Sequence, residues 1–592
     1  HYGCQDTDYT LRLMIFFEKK LIDLGLYSTF RNLIMSASRV LTSVEKNGLY
    51  LDREFNNQLL ETYKPKIDAA RQAIYDLPRV KKFEKKYNQE KVDKYIQSIE
   101  SELEELDYND PKDKRKIASR EQKISNIKAG IFTTKKEQEL IRPINLGSSV
   151  DLPALMYSEE GFHFEVIKNN ESGKPSTDEE TLTNLRLTVK KPDSPKAIFL
   201  DRLLELRGLE KMYKTYIEGW NEKVQDDDRL HGRFLIHGTT SGRLSSAEPN
   251  AQQIPKTSVD PNIKLQLKAP KGTLYIASDF SQAELRIMAH LSGDETYLNA
   301  FNSGQDPHLA IAATKYHIPY EEALKIYEDE NHPEHKIWKV RRKQAKQIAF
   351  GLIYGIGAKL LAVKLSDPKS GIIVTPEEAQ KEMDIFFGQH PKLKTFLKKQ
   401  EKFLRKNGHL VSLFGRKRRL PQIYSNDKGE EAYALRLALN FPCQSAASDM
   451  CLFGSILIYY LMRQGKLPST KSVCLVHDAN YQITKPENIN IWSIYEMWQI
   501  YRNPLTKPYF GFQIDDVTMD MEFVIGRSMA EELPFIPGYD YKKMLEPDFS
   551  VEEYMEEHKK YKHIPISEYK KRFNKQMKQY EKDFERTHSM EG

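Results

Sequence analysis

The chain has 592 residues, with 90 Lys and Arg against 84 Asp and Glu and a formal net charge of +6. That length exceeds the roughly 250–300 residues at which a single core stops growing, so several domains or subdomains are expected. So weak a basic excess does not identify a nucleic-acid binder, and the placement of the basic residues has to do so. Four cysteines, Cys4, Cys443, Cys451 and Cys474, show neither CxxC spacing nor a framework pattern. This argues against a zinc site or a disulfide scaffold and fits a reducing, cytoplasmic setting.

The opening HYGCQDTD has neither an initiator Met nor a basic-then-apolar leader, so it reads as a fragment without a signal peptide. Residues 1 to about 25 read as one amphipathic helix, TLRLMIFFEKKL after a polar start. From about 53 to 136 the pattern is helical and heavily charged, and the interleaved Glu and Lys suggest a solvated helical hairpin. Turn chemistry comes next, in PINLGSSVDLP and KNNESGKPSTDEET. Motifs become dense from about 195 to 485. The longest apolar run, CLFGSILIYYLM (451–462), is shorter than the about 20 residues a bilayer span needs. It reads as a core helix, and no membrane association is expected. After about 530 a Pro/Gly break, LPFIPGYDY, leads into a charged helical tail.

Three segments carry candidate chemistry. TLYIASDFSQAELRIMAHLSG (273–293) starts β-prone and turns helical near Ser281, which leaves Asp279 where a strand ends and a helix starts. Such a carboxylate either holds a ligand or accepts amides at the helix start. Ser281-x-x-Glu284 has capping-box spacing, which explains both residues by helix initiation. In RRKQAKQIAFGLIYG (341–355), Arg342, Lys346, Phe350 and Tyr354 recur every fourth residue and form one slowly winding stripe. Arg and Lys one turn apart can grip adjacent phosphates, and the rings beyond them offer a surface to a sugar or base. The plainer reading is an amphipathic helix with wet basic residues and buried rings. KSVCLVHDANYQI (471–483) reads as a β-hairpin with Asp478 at its turn, either a surface turn residue or a second strand-end carboxylate. Two such carboxylates meeting across one sheet would suit magnesium, which takes one or two carboxylates together with substrate phosphates.

Together these segments resemble the family A DNA polymerases, of bacterial DNA polymerase I and phage type. DFSQAELR (279–286), RKQAKQIAFGLIYG (342–355) and VHDA (476–479) look like the family's motifs A, B and C. TTSGRLSSAEPNAQQIP (239–255), DPH (306–308), LFGRKRRLP (413–421) and RLALNFPCQSAASD (436–449) look like further family segments, all in the family's order. SRVLTSVEKNGLYLD (38–52) is similar to the family's lead into palm and thumb. The resemblance implies an α+β right hand: a palm with an antiparallel sheet, helical fingers and a helical thumb. Its parts would be an exonuclease-like remnant at 1–25, a palm entry at 26–52 and a thumb with a charged insertion at 53–205. Palm with motif A would follow at 206–295, fingers at 296–410, palm with motif C at 411–532 and a charged extension at 533–592.

The resemblance also implies roles. Asp279 and Asp478 would hold two magnesium ions, with manganese able to substitute, and Lys346 would act as general acid. Arg342, Lys346, Phe350, Tyr354, Gln282 and His308 would bind the deoxynucleoside triphosphate, and Glu284 would exclude a ribose 2′-hydroxyl, its rotamer set by the cap. Arg243, Arg436, Asn440, Gln444, His477, Asn250 and Gln253 would touch primer-template DNA, with the basic turn GRKRR (415–419) adding affinity. A replisome or processivity partner would dock through 78–136 or 540–592. Motif C usually carries Glu after its Asp, whereas this chain has Ala479, which implies slower catalysis or altered metal preference. Tyr2 and Asp6 resemble the last motif of a 3′–5′ exonuclease whose other acidic motifs are missing, so no proofreading is expected; Asp6 is equally placed to cap the first helix. The alternatives are a single-subunit RNA polymerase, opposed by Glu284 and TSGRLSS, and a degenerate polymerase serving as a non-catalytic primer-template or replisome scaffold, motivated by Ala479.

Overall fold

The computed structural model describes residues 2–366, 374–502 and 504–561, so 562–592 of the expected extension lie outside the described residues. The chain divides into two compact units, residues 57–218 and the remainder.

In the unit 57–218 the charged stretch forms two helices, Pro78–Glu104 and Lys114–Lys128. Val92, Ile96 and Ile99 recur at helical spacing and meet Ile127 of the second helix in a narrow apolar seam. Their Lys and Glu residues face outward, with Arg120 2.9 Å from Glu102 and Lys128 3.6 Å from Glu100. Exposed pairs of this kind contribute at most about 1 kcal/mol each, whereas a buried Ile contributes about 2. The seam therefore holds the hairpin, as its charge pattern suggested. Beyond it, Thr134 and Glu137 form a reciprocal capping box on the short helix Lys135–Gln138.

The remaining unit is built on a five-stranded antiparallel sheet. Its strands are β1 (Leu274–Phe280), β2 (Lys471–Val476), β3 (Ala479–Thr484), β4 (Met521–Gly526) and β5 (Leu533–Pro534). They lie in the order β5-β4-β1-β3-β2, every pairing antiparallel. β3 is buried throughout, and within β1 only Asp279 is exposed. The same unit holds α1 (Ala283–Ser292), α2 (Pro307–Lys315), α3 (His335–Ile353) and α4 (Lys428–Arg463). α1 packs on α4, and α2 on α3. Leu285 and Ile287 of α1 are fully buried, each stabilising the core by about 2 kcal/mol.

The apolar run 451–462 is the second half of α4, as its composition suggested. Among the described residues α4 is long and apolar enough to cross a membrane, but 72% of its most apolar window is buried within the protein. Gly454 admits a close neighbour there, since a Cβ would fall 2.4 Å from the Tyr501 ring. After β5 the chain packs back on itself, Tyr554 donating its hydroxyl hydrogen to the Pro534 carbonyl at 2.7 Å.

Three local expectations change. The helix after β1 starts at Ala283, preceded by Gln282 in the left-handed region at φ 58°, so Ser281 is not its cap. Asp6 lies inside the first helix, Tyr2–Asp23, and does not cap it. Leu11, Leu13, Met14, Ile15, Phe16 and Phe17 of that helix are all exposed, because five consecutive apolar residues encircle a helix and give no single buried stripe.

Glu137 provides a stability test in the unit 57–218. Burial opposes its charge, but the Thr134 and Thr133 amides, the Thr133 hydroxyl and Lys123 outweigh that and hold the carboxyl at about 2. A depressed pKa stabilises the fold above the ordinary value of 4.5, and this contribution is lost as pH falls through about 2. Glu137→Gln should lower stability by about 1–2 kcal/mol at pH 7 and lessen its loss toward pH 2, as read by denaturant melts.

Candidate active site

Strand register brings the two acidic residues to one end of the sheet. Asp279 on β1 lies directly opposite Ala479 on β3, and Phe280 donates its amide to the Asp478 carbonyl at 3.4 Å. β2 and β3 pair Val476 with Ala479, leaving His477-Asp478 as a two-residue turn with His477 at φ 54°. Gln282 and His477 are thus two left-handed non-glycine residues beside the two carboxylates, a conformation that persists only where its surroundings impose it. Gln252 imposes part of it: its carboxamide accepts the His477 amide at 3.1 Å and donates to the Leu475 carbonyl.

On the other flank of Asp279, β4 places Glu522 directly opposite. Asp279 is an exposed residue, yet protein is dense around it. That burial, with Asp478, Glu522 and Glu532 adding negative charge, pushes its carboxyl up to about 6. Burial likewise raises Asp478, opposed by Arg243, which is itself paired with Glu284. The charges acting most on Asp279 are all negative, and hard oxygen donors of this kind suit a divalent cation such as magnesium. Among the described residues no three His, Cys, Asp or Glu side chains form a metal cage, so water and substrate oxygens would complete the coordination.

Glu284, on the first turn of α1, is buried and receives hydrogen bonds from Arg243 and from the Tyr354 hydroxyl. These two donors orient its carboxylate, in place of the capping box its spacing suggested. Burial raises its pKa, with Tyr354 and Arg243 opposing.

The stripe on α3 keeps its order. Phe350 and Tyr354 stack 6.2 Å apart at 16°, and the exposed Lys346 lies 5.8 Å from the Phe350 ring. The rings are not core residues, since Phe350 is half-buried and Tyr354 is 36% exposed. Arg342 donates to the Asp306 carboxylate at 2.6 and 3.1 Å, and Asp306 also caps α2 by accepting the Leu309 amide. His308, two residues on, is 1% exposed, 5.7 Å from Phe350, and neither ring nitrogen has a hydrogen-bond partner. Burial lowers its pKa to about 4, so it is neutral at pH 7. The buried Gln282 Oε1 is likewise without a partner.

Arg436, Asn440 and Gln444 recur every fourth residue on α4 and line a cavity of about 330 Å³ with Tyr354, Thr240, Ser241 and Arg418. Asn250 accepts the Gln252 amide at 3.0 Å, capping the turn that carries the hairpin clamp, and Gln253 is exposed. The basic turn 415–419 is not a free cationic patch. Arg416 pairs with the buried Asp449, Lys417 donates to the Leu24 carbonyl at 2.6 Å, and Arg418 lies 5.8 Å from the Phe441 ring. Gln252 and Asp306 lie inside the family-like segments 239–255 and 306–308 without a role of their own, and Glu522 lies outside every such segment. The first two are neighbours of marked residues, whereas nothing local marks Glu522, whose place depends on the register of a strand about 240 residues away.

The raised pKa of Asp279 has a testable consequence without metal. A carboxyl raised above its ordinary value favours the fold at low pH, and that support is lost as pH rises through about 6. In chelator, Asp279→Asn should leave the melting temperature unchanged at pH 4 and raise it at pH 8. Screening at this exposed residue limits the gain to about 1 kcal/mol.

Comparison with known proteins agrees with this geometry. The sequence profile of DNA polymerase family A matches residues 112–489. DNA polymerase I from Thermus aquaticus, a thermostable enzyme, is 32% identical over 319 residues, covering 54% of this chain and 35% of that protein. DNA polymerase I from Pseudomonas aeruginosa is 32% identical over 336 residues, covering 56% and 33%. These matches span about a third of the length of those relatives. The fold is that of the POL domain of Pol1 from M. smegmatis, solved in complex with DNA primer-template and dNTP. It superposes with a TM-score of 0.63 at 24% identity, covering 87% of this chain and 73% of that one. The architecture is therefore the α+β right-hand polymerase fold, and the chain belongs to DNA polymerase family A.

Proposed function

We propose that the chain is a template-directed DNA polymerase that extends a primer 3′ end with deoxynucleoside triphosphates by two-metal phosphoryl transfer. The observation that carries this reading is the carboxylate pair Asp279 and Asp478, brought by strand register to one sheet end within a family A fold. Asp279 and Asp478 would hold two magnesium or manganese ions, which when bound activate the attacking oxygen and neutralise the leaving group. Arg342 and Lys346 bind the triphosphate, with Asp306 holding the Arg342 fork in readiness. Lys346 then supplies a proton to the leaving pyrophosphate. His308, neutral and with both ring nitrogens unused, can donate its one ring N–H to a phosphate oxygen, and Gln282 has an unused carboxamide oxygen that can accept a hydroxyl.

Phe350 faces the sugar and Tyr354 lies beside the templating base. Glu284, held by two donors, occupies the volume that a 2′-hydroxyl needs and so favours deoxynucleotides. Arg243, Arg436, Asn440 and Gln444 offer donors to the minor groove, where every base pair presents acceptors, while His477, Asn250 and Gln253 stand at the hairpin beside it. Phosphate contacts then supply most of the affinity, which weakens steeply with salt.

Ala479 supports a second reading, a primer-template scaffold without turnover. The residue directly opposite Asp279 on β3 carries no carboxylate. Extension of a primed DNA template in magnesium and in manganese, alongside Asp279→Ala, separates the two. The polymerase reading expects extension that falls by at least about 10³-fold in the variant. Tight binding without extension in either metal would establish the scaffold instead. Ala479→Glu should increase the magnesium-supported rate, and a decrease would show that the site is adapted to alanine.

A further inference from the structure

Three segments that resembled the family contain Gly242, Arg416 and Asp449, and these three residues meet in space. Asp449 lies midway along α4 with no exposed surface. Arg416 donates from Nε to both of its carboxylate oxygens at 2.8 Å. Gly242, at φ 86°, lies close against that guanidinium: a Cβ there would fall 2.6 Å from Arg416 Nε and 2.9 Å from Cζ. The loop backbone rests on the arginine head, and the arginine cannot recede because a buried helix holds its counter-charge. The next residue, Arg243, donates to Glu284, and the Thr239 hydroxyl donates to the Arg243 carbonyl at 2.7 Å. A continuous path of contact therefore runs from the interior of α4 to the carboxylate of Glu284.

We propose that Asp449 is a positioning residue for sugar selection: through Arg416 it fixes the backbone at Gly242, and thereby the reach of Arg243 to Glu284. This rests on the reading of Glu284 as the group that excludes a 2′-hydroxyl. Asp449 itself touches no substrate. Selection against one hydroxyl depends on where a single carboxylate stands, and displacing a supporting group by about 1 Å is enough to change rates substantially. Neutralising Asp449 leaves Arg416 as a poorly compensated charge in a largely buried place, so the arginine head is the part that moves. Adding a methyl at Gly242, where φ 86° already disfavours a side chain, presses on the same guanidinium with Asp449 intact.

The test is single-nucleotide insertion by the full chain, with a deoxynucleotide and its ribonucleotide counterpart measured opposite the same template base. Asp449→Asn and Gly242→Ala should each lower the ratio of the two kcat/KM values about tenfold, with a much smaller change in kcat for the deoxynucleotide. Glu284→Ala should lower that ratio at least as far, and adding Asp449→Asn to it should lower it no further, because both act at one group. Should Asp449→Asn fail to fold, Arg416→Lys, which keeps the charge but loses the Nε that holds Asp449, takes its place beside Gly242→Ala. An unchanged ratio in folded Gly242→Ala, with Glu284→Ala losing selection, overturns the proposal and leaves the Glu284 reading intact. Additive losses in the double variant also overturn it. Full sugar selection in Glu284→Ala would remove both.

Discussion

The antiparallel register of three central strands is the constraint on which the rest of the site depends. It sets Asp279 between Ala479 on one flank and Glu522 on the other, and it brings the 477–478 turn against the end of β1. β3, buried throughout, and β1, buried but for Asp279, hold that register firmly, because a one-residue slip would turn the acidic end inward. The consequence is electrostatic. Carboxylates gathered where protein is dense repel one another and lose hydration, so the arrangement favours a bound cation or a proton.

Glu284 is the second fixed point. It joins three parts of the chain that are distant in sequence: the loop bearing Arg243, the first turn of α1 and the end of α3 at Tyr354. Hydrogen bonds to a buried carboxylate are stronger than those in water, and leaving that carboxylate unpaired would cost several kcal/mol. The buried Arg416–Asp449 pair extends the same logic one layer deeper. A buried ion pair adds little net stability against an apolar replacement, so its value here lies in the geometry it enforces on the Gly242 loop.

The cationic helix is organised by its neighbours as much as by its own spacing. Asp306 ends one hydrogen-bond chain at the α2 cap and begins another at Arg342, so a single carboxylate ties the start of α2 to the fork on α3. His308, neutral and enclosed against Phe350, lies on the same turn. A guanidinium already held in plane loses less side-chain entropy when it takes up an anion than a freely rotating one does.

Much of this was legible in the chain itself, for reasons of range. The strand at 274–280, the hairpin about 477–478, the four-residue stripe on α3 and the apolar second half of α4 are local patterns, and periodicity over a few residues reports them. The ordered motif segments pointed to the family, whose profile matches residues 112–489. Local pattern misled where tertiary partners compete with it. The Ser281–Glu284 spacing fits a capping box, yet Arg243 and Tyr354 claim the carboxylate and Gln282 adopts a left-handed turn. The run GRKRR suggests a basic surface, yet a buried Asp449 draws Arg416 inward. Glu522 opposite Asp279, Gln252 beneath the hairpin and Asp306 on Arg342 depend on pairing between segments tens to hundreds of residues apart. The chain by itself determined which elements form and which residues bear charge. Only the tertiary structure decided which charges meet, because pairing energies depend on distance and burial, and neither is written in local spacing.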